Sequence, residues 1–247
     1  MLPQIRSELL KLTTIRTSLY FVLVTVLFVA GIVVIQAVTA GGEFSGPLGD
    51  PATQQSLFTT AAAAPLIAIV FGCLAITSEL RHKTIVPTLL FEAGRVKVVV
   101  AKSAATLVAG AALGAVAVIV GGGLTMVILL ATSTTVAVSV GSIAATSAGT
   151  VGAAALGALF GLGIGGLVRN QALAVGTVLV LMLAVEPMVA SLLPDLAAWL
   201  PSSLVTTTAE ARTGVEVGVW LAAPALALYA VAVTTGAALR LRMADVT

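Results

Sequence analysis

The sequence predicts an all-α, polytopic membrane protein with six transmembrane helices. Of its 247 residues 59% are hydrophobic and 9% are charged, and the mean hydropathy is +1.16, whereas about a quarter of a soluble domain is charged. Residues 17–42, 51–78, 103–168 and 217–239 contain no charged side chain. Since about 20 apolar residues cross a bilayer as a helix, each stretch is long enough for a span. This composition excludes a soluble, disordered or nucleic-acid-binding protein, and residues 1–247 form one transmembrane domain.

The lengths of the uncharged stretches predict six spans. Stretch 103–168 has 66 residues, too many for one helix, and the Thr/Ser-rich run 132–135 within it favours a turn. For the fifth span the sequence leaves two ends open, near Val185 and near Leu193. The predicted spans are residues 18–38, 59–77, 103–130, 143–168, 172–193 and 217–239.

Basic residues are distributed unevenly among the predicted loops. With the N-terminus placed in the cytoplasm, 11 of the 12 Lys and Arg residues fall on the cytoplasmic side, and Arg212 alone falls outside. Lys and Arg accumulate on the cytoplasmic side of membrane proteins. An odd number of spans would put the basic C-terminus outside, so the pattern predicts that both termini are cytoplasmic.

The residues before the first span have an amphipathic pattern. Apolar side chains recur at helical spacing from Leu2 to Ile15, and the charged residues lie off that stripe. This favours an interfacial helix whose basic residues meet anionic groups of the membrane lipid. A signal that only sets the orientation of the chain explains the pattern equally well, and both can hold. The charged residues of this predicted helix are Arg6, Glu8, Lys11 and Arg16.

The cytoplasmic segment 78–102 combines charges with an apolar stretch. A polar patch that includes the only histidine, His82, directly follows the second span, and residues 84–91 are mostly apolar and interrupted by Pro87. A short helix lying across the cytoplasmic face would use these residues to dock a partner. A solvated loop that merely carries positive charge is the other interpretation, and the apolar content favours docking.

Small residues recur every fourth position in the predicted fourth span. Such a ridge lets another helix approach closely in lipid. Packing within one bundle is favoured over a seam between two copies. The glycines of the ridge are Gly149, Gly157, Gly161 and Gly165, with Ala153 between them.

Glu186 is the only carboxylate expected deep in the apolar part of the chain or at its outer interface. An ionisable residue within a membrane is a functional candidate, because burying its charge is costly. One interpretation makes Glu186 the proton- or ion-coupling group of a secondary transporter. The other makes residues 187–207 an outer re-entrant segment of broken helices with Glu186 at its start. Prolines at steps of seven and the interfacial Trp199 favour the second.

Three stretches of the sequence resemble the permease subunits of bacterial ABC exporters of the second type. These stretches are Ser7-Glu8-Leu9-Leu10-Lys11, then Thr77-Ser78-Glu79-Leu80-Arg81-His82-Lys83-Thr84-Ile85 with Thr88-Leu89-Leu90, and Arg169-Asn170-Gln171-Ala172-Leu173-Ala174. Lys83 stands where that family often has glycine.

The resemblance implies an exporter subunit in a bacterial plasma membrane. The loop between the second and third spans would be a coupling helix seated on a separate ATPase, and the N-terminal helix would run along the membrane. Two permeases, either two copies or one copy with a homologue, would form the path with two ATPase subunits that bind ATP and Mg. The implied coupling residues are Glu79, Arg81, His82, Lys83, Thr84, Leu89 and Leu90.

The chain itself is not expected to be an enzyme. It has no glycine-rich phosphate-binding loop, because the nearest candidate, Ala101-Lys102-Ser103, lacks the required glycines, and it has no nucleophile-elbow or His-Glu-x-x-His motif. No cofactor is therefore expected in this chain. A path lined by aliphatic residues favours a hydrophobic or amphipathic substrate, such as a drug, a peptide or a lipid. A secondary transporter coupled through Glu186 and a non-transporting scaffold or immunity protein stay open as alternatives.

Overall fold

The computed structural model describes residues 2–14, 16–42, 46–81 and 95–243, and this part of the chain is helical without a strand. A 3₁₀ turn, Thr60–Ala63, joins α3 to α4, and a π-helical turn, Leu181–Val185, joins α7 to α8. The helices are α1 (Leu2–Thr14), α2 (Arg16–Thr39), α3 (Pro51–Thr59), α4 (Ala64–Arg81), α5 (Arg95–Ala131), α6 (Val140–Val168), α7 (Gln171–Val180), α8 (Glu186–Leu192), α9 (Pro194–Ala197), α10 (Pro201–Ala209) and α11 (Val219–Met243).

Six helical segments are long and apolar enough to cross a membrane. This confirms the prediction of an all-α chain with six candidate spans. We call these segments the first to the sixth span. In order they are Arg16–Thr39, Pro51–Arg81, Val99–Ala131, Val140–Val168, Gln171–Leu192 and Val219–Arg240.

The second and third spans belong to helices that begin earlier than the hydropathy pattern predicts. The second begins at Pro51 rather than at residue 59, because proline is well suited to the first turn of a helix. The third lies in a helix that begins at Arg95 rather than at residue 103. Helices α4 and α5 therefore extend into the predicted cytoplasmic segment 78–102 from both sides, and its position relative to the membrane stays a prediction. Only residues 82–94 separate the two helices, and they lie outside the described part of the chain.

The fifth span continues through Pro187 to Leu192 and so ends close to the later of the two expected ends. Proline lacks an N–H and its ring clashes with the carbonyl group four residues earlier in a regular α-helix. The π-helical turn Leu181–Val185 lies directly before Glu186 and Pro187. Its wider ring of hydrogen bonds accommodates the proline, so the helix continues without breaking.

The fourth span is the centre of the bundle and contacts the second, third and sixth spans. Backbones approach closely at its glycines. A Cβ atom at Gly161 would lie 2.7 Å from the carbonyl carbon of Ile69, and one at Gly165 would lie 2.6 Å from the carbonyl oxygen of Cys73. A Cβ atom at Gly157 would also contact Ile69. Gly157, Gly161 and Gly165 therefore pack against the second span of the same chain.

Gly149, the tenth residue of the fourth-span helix, packs against a different neighbour. A Cβ atom at Gly149 would lie 3.0 Å from the carbonyl oxygen of Ala209, and the Thr150 hydroxyl donates to the same oxygen at 3.1 Å. Helix α10 therefore folds back onto the bundle, with Leu204 and Val205 fully buried in the main core. This agrees with a returning segment over 187–207, although α8 still belongs to the fifth span up to Leu192. The depth of α10 in a bilayer stays a prediction.

Candidate functional site

A cluster of buried charges joins three helices at the end of the bundle that holds the N-terminal helix. The Lys102 ammonium lies 2.8 Å from Oε2 of Glu8 and 2.7 Å from Oε1 of Glu79. Lys11 donates to the other oxygen of Glu8 at 2.5 Å. Glu8 and Lys102 are each 6% exposed, so this pair is shielded from water, whereas Lys11 is partly exposed. We call Glu8, Lys11, Glu79 and Lys102 the charge cluster.

Three helices supply the residues of the charge cluster: α1 supplies two of them, and α4 and α5 supply one each. Glu8 and Lys11 lie one turn apart in α1, a spacing at which side chains meet on one helix face. Glu79 lies in the last turn of α4, and Lys102 lies in the third turn of α5. Helix α1 packs beside α5. The cluster therefore holds α1, the second span and the third span together.

The electrostatics of Glu8 agree with an ionised carboxylate. Burial by itself raises the pKa of Glu8, but attraction to Lys102 and hydrogen bonds from Lys102 and Lys11 outweigh it, so that the pKa lies below its usual value. For Lys11, burial lowers the pKa, but its bond and attraction to Glu8 outweigh this and raise the pKa above its usual value. A buried ionised group is tolerated when it is paired in this way.

A second set of contacts links the end of the second span to the turn between the fourth and fifth spans. Arg81 donates to Oε1 of Gln171 at 3.2 Å. Arg169 ends the fourth-span helix with a left-handed backbone, φ 60°, and the Asn170 side chain caps α7 by accepting from the Leu173 N–H at 3.1 Å. These contacts bring together two of the three stretches that carried the family resemblance.

The same turn is also tied to the end of the sixth span. Arg169 donates to the carbonyl oxygen of Arg240 at 2.9 Å, and Arg240 donates in return to the carbonyl oxygen of Leu167. Such bonds satisfy carbonyl groups that the last turn of a helix leaves without partners. The fourth, fifth and sixth spans are therefore joined on the same side of the bundle as the charge cluster.

The structure separates the predicted residues of the N-terminal helix into two groups. Arg6 and Arg16 are exposed, whereas Glu8 is buried and Lys11 is partly buried. The expectation that all four lie on the polar side of the helix is wrong for Glu8. Its carboxylate points between helices because Lys102 lies there.

The predicted coupling residues are only partly covered by the structure. Glu79 belongs to the charge cluster and Arg81 contacts Gln171, so both bind within the chain. The remaining predicted coupling residues lie outside the described residues. They are His82, Lys83, Thr84, Leu89 and Leu90.

Glu186 is buried beside the start of α10. It is 2% exposed, and its Oε2 accepts the Ser202 N–H at 2.8 Å and the Ser202 hydroxyl at 2.5 Å. The carboxylate thereby caps one of the backbone N–H groups that a helix start leaves unpaired. Its Oε1 is buried without a hydrogen-bond partner among the described residues.

Gln54 organises the opposite end of the bundle. Its side chain is fully buried and donates to the carbonyl oxygens of Leu48 and Thr135, both at 2.9 Å. Its oxygen accepts the Ala137 N–H at 2.7 Å. Gln54 therefore joins the connection before the second span to the connection between the third and fourth spans.

Several residues that build these sites have no clear signal in the sequence. Lys102 stands out only in the rejected phosphate-loop candidate Ala101-Lys102-Ser103, because its partners Glu8 and Glu79 belong to other helices. Gln54 precedes the predicted start of the second span at residue 59. The contacts of Gln171 and Ser202 depend on which helices pack together.

The described part of the chain contains no group of three or more His, Cys, Asp and Glu side chains that could hold a metal ion.

Six helices of this length and apolarity are those of a multi-pass membrane protein. A comparison with protein-family models finds no match. A comparison with curated proteins finds none either.

Proposed function

We propose that this chain is the membrane-spanning permease subunit of an ATP-driven ABC exporter in a bacterial plasma membrane. It acts as a dimer, or with a homologous permease, bound to two copies of a separate ATPase that binds ATP and Mg. One observation carries the proposal: Lys102, in the third turn of α5, binds Glu79, in the last turn of α4, so that the two helices that flank residues 82–94 are bound to each other.

This ion pair has the mechanical property that coupling requires. We expect a partner that binds residues 82–94 to act on α4 and α5 together, because the ion pair joins the last turn of α4 to the third turn of α5. Lys102 also binds Glu8, so α1 moves with them. The second span is in backbone contact with the central fourth span at Gly161, and a displacement of its end is transmitted to the bundle by packing rather than absorbed by a soft contact.

The proposed substrate is hydrophobic or amphipathic. Most side chains along the spans are aliphatic, and the buried hydroxyl groups of Thr25, Thr77 and Thr125 bind carbonyl oxygens of their own helices. They therefore offer few bonds to a polar substrate. A drug, a peptide and a lipid all fit this description.

The proposal is tested by purifying the protein from its own cells in mild detergent and identifying the chains that co-purify by mass spectrometry. We expect an ATPase with a phosphate-binding loop in about one-to-one ratio. Leu89→Ala with Leu90→Ala is expected to abolish this capture, and the matched pair Leu192→Ala with Leu193→Ala, in the exposed outer turn, is expected to preserve it. A protein that purifies alone, and to which no ATPase can be crosslinked through residues 82–94, contradicts the proposal.

Transmission is tested separately from docking. In the purified complex, at a temperature where circular dichroism shows Lys102→Met to be folded, this variant is expected to retain the ATPase while reducing substrate-stimulated ATP hydrolysis, because α5 is then no longer bound to Glu79. Arg212→Met, at the other end of the bundle, is the control and leaves stimulation unchanged. Equal stimulation in the Lys102→Met and wild-type complexes rules out transmission through the charge cluster.

The secondary transporter is the second candidate, and the buried, unpaired Oε1 of Glu186 favours it. Glu186→Gln keeps an oxygen for Ser202 but cannot release a proton. In vesicles with an imposed pH gradient, this variant is expected to lose proton-linked uptake if Glu186 couples transport, and to behave like the wild type if the exporter proposal holds. A scaffold without transport activity shows no proton-linked uptake in either the wild type or Glu186→Gln.

A further inference from the structure

An apolar groove of about 330 Å³ lies between α1, the first span and the third span. Leu9 of α1, Leu19 of the first span and Ala112 of the third span line its sides, and Phe71 of the second span forms part of its floor. Leu19 is 68% exposed and Val108 at its edge is 52% exposed. The groove therefore opens to the outside of the bundle.

Two exposed arginines each lie three positions before a side chain that lines this groove. Arg16 begins the first-span helix three positions before Leu19, and Arg6 lies three positions before Leu9 in α1. Residues three apart on a helix are neighbours on its surface, so each guanidinium group lies about one turn from a side chain that lines the groove. Among the described residues, neither arginine has an acidic partner within ion-pair distance.

The length of the groove matches one leaflet of a bilayer. Along α5 its lining extends from Val108 to Val116, eight positions or about 12 Å at 1.5 Å per residue. One leaflet of a hydrocarbon core is about 15 Å thick. Arg16 lies where the first span meets α1, and Arg6 lies within α1, at the end of the bundle where lipid headgroups are expected.

We propose that the groove and the arginine pair Arg6 and Arg16 form a binding site for one anionic phospholipid per chain. The acyl chain fills the groove along α5, and the phosphate group accepts hydrogen bonds from the two guanidinium groups. Guanidinium forks suit this role because they bind phosphate oxygens in pairs. This inference does not depend on the transport proposal.

Charge complementarity favours a lipid over a second copy of the chain as the occupant. A second copy would need an exposed acidic group to face Arg6 and Arg16. The acidic residues that the structure describes on this side, Glu8 and Glu79, are bound to Lys102. An anionic headgroup supplies the missing negative charge, and basic pockets between helices are known to bind such headgroups.

The site is tested by native mass spectrometry of the delipidated protein titrated with phosphatidylglycerol or with phosphatidylcholine of the same acyl chains. The wild type is expected to bind one phosphatidylglycerol per chain at least tenfold more tightly than phosphatidylcholine. Arg6→Gln with Arg16→Gln is expected to remove this preference, and Arg212→Gln to preserve it. A double arginine variant that still prefers phosphatidylglycerol overturns the proposal.

The groove itself is tested by filling it. Ala112→Phe is expected to weaken binding of both lipids at least tenfold, whereas Ala145→Phe, at an exposed position of the fourth span outside the groove, leaves binding unchanged. Unchanged lipid binding by Ala112→Phe overturns the proposal. If Ala112→Phe does not fold, Ala112→Cys in a Cys73→Ser background is oxidised in vesicles. The expected result is no crosslinked dimer, and a disulfide between copies would place a second chain at the groove and overturn the proposal.

Discussion

The Lys102 ammonium lies 2.7 Å from the Glu79 carboxylate, and this pair connects the end of the second span to the start of the third. Glu79 also lies two residues before Arg81, which binds Gln171 at the start of the fifth span. A short region at one end of the bundle thus joins α1 and three spans through polar contacts. The remainder of the packing depends on apolar contacts and on close approach at glycines.

Removing the central cation of the charge cluster is expected to destabilise the protein strongly. Lys102→Met leaves Glu8 and Glu79 without their shared partner, and breaking a buried ion pair from one side costs about 3–5 kcal/mol. The measurement is the thermal unfolding midpoint in detergent. Arg16→Met, at an exposed position, is the control and is expected to change the free energy of unfolding by less than about 0.5 kcal/mol. A midpoint for Lys102→Met within the range of this control contradicts the prediction.

The contribution of Glu8 to stability is expected to depend on pH in a defined direction. Its pKa is lowered from the usual 4.5 in the folded protein. The stabilising effect of the Glu8 carboxylate is therefore fully present above pH 4.5. It is lost as the pH falls through the lower pKa that Glu8 has in the folded protein. The difference in unfolding midpoint between the wild type and Glu8→Gln is expected to be constant from neutral pH to about pH 5 and to shrink below the usual value of 4.5. A difference that grows on acidification would show that Glu8 is bound as the neutral acid.

The glycine ridge is tested by two substitutions in one helix. A Cβ atom at Gly161 would meet the Ile69 backbone, whereas one at Gly152 would have nothing within 4 Å. Gly161→Ala is expected to cost about 3 kcal/mol because two packed backbones must separate. Gly152→Ala is expected to stabilise by about 0.5–1 kcal/mol, because alanine favours the helix over glycine. Equal effects of the two substitutions in thermal unfolding would mean that the second and fourth spans are not in backbone contact.

Gln54 is expected to be more important for stability than its neighbour Gln55. Gln54→Leu leaves two carbonyl groups and one N–H of the connecting segments without their partner, and an unsatisfied buried group costs about 1–3 kcal/mol. Gln55 is only partly buried, and its Oε1 accepts a hydrogen bond from the Ser142 hydroxyl at 3.0 Å, so Gln55→Leu is the matched control with a smaller effect. Hydrogen exchange over residues 131–139 should increase in Gln54→Leu alone, and protection as in the wild type would refute this role.

The contribution of Glu186 to stability is expected to come from the oxygen that accepts hydrogen bonds from Ser202 more than from its negative charge. Glu186→Gln retains an acceptor for the Ser202 N–H, whereas Glu186→Leu leaves the N–H and hydroxyl of Ser202 unpaired at the start of α10. The leucine variant is expected to lose about 1–3 kcal/mol, and the glutamine variant considerably less. The comparison is made by thermal unfolding, with Ser202→Ala as a variant that removes only the hydroxyl. A leucine variant as stable as the glutamine variant would exclude the capping role.

Much of the fold follows from local properties of the sequence. The number of spans and the location of the turn at 132–135 depend on hydropathy and turn composition. Both properties can be calculated from a short stretch of consecutive residues. Hydropathy does not predict that the helices begin as early as Pro51 and Arg95. The reason is that charged and polar residues are unfavourable in lipid unless they have partners. Gln54 and Lys102 have such partners, and these lie far away in the chain.

A helical chain with six segments able to cross a membrane is predictable from the amino-acid sequence, because apolar length and charge-free spacing are properties of consecutive residues. Which polar groups meet depends on how the helices pack. Glu8 and Lys102 are 94 positions apart, and Ser202 binds Glu186 only because α10 returns to the bundle. The physical reason is that a buried charge or amide is stable only beside a matching partner, and helix packing rather than sequence spacing decides which partner is near.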